Sequence, residues 1–99
     1  MQINITGHQM EITDALRQRI AEVIQHLDEH TDSPIGHTHV ILEVSKQQHQ
    51  CDMQIQIGSD NFVAKDHADN MYTAIDRVAD KIRRQMEKIK SRQKDSRRH

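Results

Sequence analysis

One cysteine, one proline, three glycines, one phenylalanine, one tyrosine and no tryptophan stand among the 99 residues. The lone Cys51 excludes an intramolecular disulfide and any zinc site built on several thiolates. No GxSxG, P-loop or other glycine-rich phosphate cradle occurs, and no paired carboxylates are set for acid–base work, so no enzyme is expected. With Phe62 and Tyr72 the only aromatics, the core has to be aliphatic, built from Ile, Val, Leu and Met. No apolar run approaches the roughly 20 residues of a membrane-spanning helix. Met1-Gln2-Ile3-Asn4 lacks the charged-then-apolar opening of a signal peptide, and the expected location is the reducing cytoplasm. A chain of this length makes one domain, burying about two-thirds of its unfolded surface and leaving little room for a deep pocket.

What the chain does have is charge of two signs, segregated. Residues 1–76 carry 4 basic residues (Arg17, Arg19, Lys46, Lys65) against 12 acidic ones, a balance of −8. Residues 77–99 carry 10 basic residues against Asp80, Glu87 and Asp95, a balance of +7. The net charge of −1 therefore hides a polarised molecule with one strongly positive end, which calls for a polyanionic partner.

Hydrophobic periodicity orders the elements as β-α-β-β-β-α. Ile3 and Ile5 alternate with polar residues in a short strand, Gln2–Thr6. A helix follows, capped by Thr13, with Leu16, Ile20, Val23, Ile24 and Leu27 in one stripe and its end near His30. Asp32-Ser33-Pro34-Ile35-Gly36 reads as a loop. Three strands come next: His37–Ser45 with Val40, Leu42 and Val44 inward; Cys51–Ile57 with Cys51, Met53, Ile55 and Ile57 inward; and Phe62–Asp66 with Phe62 and Ala64 inward. Lys46–Gln50 and Gly58-Ser59-Asp60-Asn61 join them. The last helix, opened by Asp69 or Asn70, carries Met71, Ile75, Val78, Ala79, Ile82, Met86 and Ile89 as its stripe. One apolar face per strand and one stripe per helix predict a two-layer α+β domain over residues 1–90, both helices on one face of a four-stranded sheet. Residues 91–99 contain no apolar residue and are expected to form a basic, mobile tail.

On the last helix Arg77, Lys81, Arg84 and Lys88 recur at spacings of 4, 3 and 4, which aligns them on one exposed strip. Arg83, Lys90 and Lys94 make a second strip interrupted by Glu87, and Arg92, Arg97 and Arg98 carry the charge onward. Four aligned cations repel one another. Phosphates along a nucleic acid relieve that repulsion and release counterions, so neutralising about five of them predicts a few-hundred-fold loss of affinity between roughly 50 and 200 mM salt. The bland alternative is a solvated face whose cations suit the helix C-terminus. That effect reaches only the last turn and leaves Arg77 and Lys81 unexplained.

Eight histidines raise a metal hypothesis, with His26 and His30 at i,i+4 and His37 and His39 on one strand face, but no HExxH motif or thiolate partner supports it and no metal or other cofactor is expected. Cys51, inward on a strand, reads as a small buried hydrophobe.

Two stretches also resemble a known family. Asn70-Met71-Tyr72-Thr73-Ala74-Ile75-Asp76, continuing through Asp80-Lys81-Ile82-Arg83-Arg84-Gln85-Met86-Glu87-Lys88, is similar to the signature of the bacterial ribosome hibernation factors, the ribosome-associated inhibitor and sigma-54 modulation family. Met1-Gln2-Ile3-Asn4-Ile5-Thr6-Gly7 and Glu11-Ile12-Thr13-Asp14-Ala15-Leu16-Arg17 resemble its N-terminal part. The resemblance implies a fold like the double-stranded-RNA-binding domain. It implies binding to 16S rRNA of the small ribosomal subunit and to the 70S ribosome, occupation of the mRNA and tRNA channel, and inhibition of translation in stationary phase. It moves the weight of the basic pattern onto Lys81, Arg84 and Lys88, with Lys90 in some members. The short basic ending looks like the compact kind that promotes 100S dimers rather than the kind that opposes them. Asn70 departs from the usual Asp, and either caps a helix. The expected protein is a monomer when free, with no membrane or small-molecule substrate among its partners. The alternative is a protein-binding modulator of transcription.

Overall fold

A computed structural model describes residues 2–96, with side chains through Lys90. The elements are β1 (Gln2–His8), α1 (Asp14–Asp28), β2 (Ile35–Ser45), β3 (Gln48–Ile57), β4 (Asp60–Ala68) and α2 (Met71–Ser96). The sheet order is β1-β2-β3-β4, with β1 parallel to β2 and the other pairs antiparallel. A parallel first pair needs a crossover, and α1 supplies it.

Both helices start where their caps dictate. Thr13 Oγ1 accepts from the Leu16 amide at 3.2 Å, and Asn70 Oδ1 accepts from the Thr73 amide at 2.9 Å. Leu16, Ile20, Ile24 and Leu27 of α1, and Met71, Ala74, Ile75, Val78, Ile82 and Met86 of α2, are buried. They pack on Val40, Leu42, Cys51, Met53, Ile55, Phe62 and Ala64 of the sheet. Each large aliphatic side chain so buried contributes about 1.5–3 kcal/mol. Ala74, rather than Ala79, sits in the core; Ala79 lines the groove between the helices.

Several boundaries differ from expectation: β1 runs through Gly7 to His8, and β4 extends to Ala68. Strand β3 begins at Gln48 because Lys46 and Gln47 alone turn the β2–β3 hairpin with φ of 50° and 65°, and β4 begins at Asp60 because Gly58 and Ser59 alone turn the next one. Neither Lys46 nor Gln47 announces such a turn, which ordinarily uses Asn-Gly. The helix α2 runs on to Ser96, since residues 91–96 contain good helix formers and no Gly or Pro to stop it. Residues 97–99 lie outside the described residues. Strand β2 begins at Ile35, with an irregular register between Ile35 and Thr38. The sheet's other face carries rows such as Asn4, His39, Gln54 and Val63, all exposed.

Candidate nucleic-acid interface

The long helix α2 lies along β4, an outermost strand of the sheet. Arg77, Lys81, Arg84 and Lys88 are all exposed, on the strip that their spacing predicts. The structure divides them. Arg77 Nη1 donates to the His67 carbonyl at 2.9 Å, and Lys81 Nζ donates to the Lys65 carbonyl at 3.0 Å and lies 3.3 Å from Asp66 Oδ2. Between them and the next turn, Gln85 Nε2 donates to the Val63 carbonyl at 3.0 Å. These side chains reach toward the sheet edge. Arg84 points away from it, its side chain 71% exposed, with Nε 3.1 Å from Asp80 Oδ2. Lys88 has no ion-pair partner among the described residues.

Arg83 faces the other flank and is half-buried. It bridges Asp80 at 2.8 Å and Glu87 at 2.6 Å, so its charge is matched within the helix rather than offered to a partner. The expected second strip is weaker for that reason. Hydrogen bonding from Arg83 holds the Asp80 carboxyl below the usual carboxylate range, and Asp80 in turn raises the Arg83 guanidinium. Lys90 is exposed at the rim of a groove of about 490 Å³ lined by His30, Asp32, Asp60, Phe62 and Met86. Arg92 lies within α2, its side chain outside the described residues.

Acidic partners tune the strip. The His67 amide holds the Asp66 carboxyl below its ordinary value, and Lys81 and Arg77 add to the effect. On the helix–helix side, Arg19 reaches both oxygens of Asp76 at 3.1 and 2.8 Å, and its guanidinium lies 5.4 Å from the Tyr72 ring. That pair ties α1 to α2 and is exposed enough to contribute only about 0–1 kcal/mol. Neither Arg19 nor Gln85 stands out in the sequence reading. The step of four from Arg77 through Lys81 to Gln85 is the one signal that could have found the latter.

The remaining candidates do not assemble. The His26 and His30 rings lie tilted at 54° with centroids 5.0 Å apart, and His30 Nδ1 is 2.8 Å from the His26 carbonyl. Among the described residues no three His, Cys, Asp or Glu side chains converge to hold a metal. Cys51 is fully buried, and burial pushes its thiol up to about 12, which leaves no thiolate for chemistry. No helix of the described residues is long and apolar enough to cross a membrane.

Comparison with known proteins shows the family and the fold. The family model described as Sigma 54 modulation protein / S30EA ribosomal protein matches residues 3–94. The ribosome hibernation promoting factor of Azotobacter vinelandii is 40% identical over 93 residues, covering 94% of this chain and 86% of the relative. That of Escherichia coli K12 is 36% identical over 94 residues, covering 95% and 98%. The N-terminal domain of Thermus thermophilus Protein Y superposes with a TM-score of 0.83 at 24% identity, covering 90% of this chain and 99% of that one. A ribosomal subunit interface protein from Coxiella burnetii gives 0.79 at 24% identity, covering 92% and 99%. At that identity the two structures speak for the fold alone, and the fold is the two-layer βαβββα arrangement described above. By the span of the family match and the identity to its relatives, the chain belongs to the Sigma 54 modulation protein / S30EA ribosomal protein family.

Proposed function

We propose that this protein is a non-catalytic, cytoplasmic ribosome-hibernation factor that binds the small ribosomal subunit through α2. The observation that carries the reading is the alignment of Lys81, Arg84 and Lys88 on one exposed side of a helix whose other side is fixed in the core. The names of the relatives supply the ribosome as partner. Mechanistically, the cations meet phosphates of 16S rRNA, and the rigid domain behind them fills space that mRNA and tRNA need. The block is steric and consumes no cofactor. Promotion of 100S dimers from 70S particles follows the same binding, by a protein that is monomeric when free.

Sedimentation through a low-salt gradient with 30S and 70S particles tests the reading. Co-migration, with displacement of initiator tRNA and mRNA from 30S, is the expected result. Protein left at the top of the gradient refutes it. Salt-sensitive binding to purified polymerase or sigma factor, with none to ribosomes, would select the transcriptional reading instead.

A further inference from the structure

The bonds along the sheet edge are periodic. Arg77, Lys81 and Gln85 stand four residues apart, and their acceptors, the carbonyls of His67, Lys65 and Val63, stand two apart and run the opposite way. Four helical residues advance about 6 Å and two strand residues about 6.7 Å, so helix and strand keep step over three repeats. An outermost strand leaves every second carbonyl without a strand partner, and here α2 satisfies three of them in a row.

We propose that Gln85 is a positioning residue of the polyanion-binding face. The buried face of α2 fixes the helix in the core, and Gln85 is the member of this clamp that keeps its exposed side seated against β4 while phosphate is bound, next to Arg84 and Lys88. The proposal rests on the ribosome-binding reading above. Its physical basis is a difference between the three ties. Arg77 and Lys81 are cations, and an arriving phosphate competes with the backbone carbonyls for them. Gln85 carries no charge, contributes nothing to counterion release, and keeps its bond to Val63 when the strip is occupied. It lies directly after Arg84 and one turn before Lys88, so losing its bond changes the seat of both outward cations of the strip, Arg84 beside Asp80 and Lys88 with no ion-pair partner among the described residues. Lys81 is already committed to Asp66 and the Lys65 carbonyl, yet its side chain is 49% exposed and its third donor remains available.

The test uses the full chain with purified 30S subunits as probe, titrated over a series of KCl concentrations at a temperature where every variant is folded. Gln85→Leu removes the donor while keeping net charge and helix propensity. Expected are a weakening on the order of tenfold, as for one lost charge-assisted contact, and a log–log salt slope shallower by about 0.9. Thr13→Ala serves as the control for destabilisation, because it weakens the cap of α1 away from the strip. It should melt earlier and keep the wild-type slope. A wild-type slope for Gln85→Leu overturns the proposal, as does an equal flattening in Thr13→Ala. Failure of the wild-type protein to bind 30S refutes the ribosome reading itself, and the proposal falls with it.

Discussion

Replacing Thr38 by Val should stabilise the protein, against the usual direction of core substitutions. Thr38 is 1% exposed, faces the helices from β2, and pairs with Ile3 on one side and Ile55 on the other. Its hydroxyl finds no hydrogen-bond partner among the described residues. An orphaned buried hydroxyl costs about 1–3 kcal/mol. Valine keeps the shape and the β-branch and removes that cost, so a gain of about 1–2 kcal/mol is expected. For a domain of this size each kcal/mol moves the melting midpoint by roughly 4–8 °C. Thermal unfolding followed by circular dichroism should therefore show Tm raised by about 4–16 °C. Thr38→Ser, which keeps the orphaned hydroxyl and deletes the methyl, should lower it. A Thr38→Val protein melting at or below the wild type would show that the hydroxyl has a partner, and would refute the reasoning.

Two further outcomes follow from the described geometry. Lys46→Asn with Gln47→Gly puts residues suited to positive φ at 50° and 65°, and should stabilise the hairpin by about 1–2 kcal/mol, read as a raised urea midpoint at unchanged m-value. Asp66 and Asp80 both have carboxyls held below the ordinary 3.8, so their contribution is complete above that value and is lost as pH falls through the depressed one. Melting temperature should accordingly hold above about pH 5 and fall below pH 4, and Asp66→Asn should show a smaller acid loss than the wild type.

The two layers were legible because burial obeys periods that residue types reveal. Ile75, Val78 and Ile82 mark the inner side of α2 by their spacing, and Cys51, Met53 and Ile55 mark the inner side of β3 by their alternation. The β2–β3 turn was not legible, because Lys46 and Gln47 adopt left-handed φ without the residues that favour it. Past Ile89 the apolar residues end, while the helical backbone runs on to Ser96, an extent that periodicity does not mark. In the site, the outward strip followed from spacing alone. The neutralisation of Arg83 was readable too, since Asp80 and Glu87 stand three before and four after it. The ties to β4 were hidden for a different reason. Their acceptors are backbone carbonyls 10 to 22 residues away, and no residue type advertises a free sheet edge.

The central claim is that the outward cations of α2 carry binding to the small subunit. Arg84 and Lys88 offer the cleanest perturbation, since Lys81 also serves the sheet edge. Arg84→Glu combined with Lys88→Glu should keep the wild-type circular dichroism spectrum and lose co-sedimentation with 30S subunits at low salt. A folded double variant that still pellets with 30S as the wild type does would contradict the account.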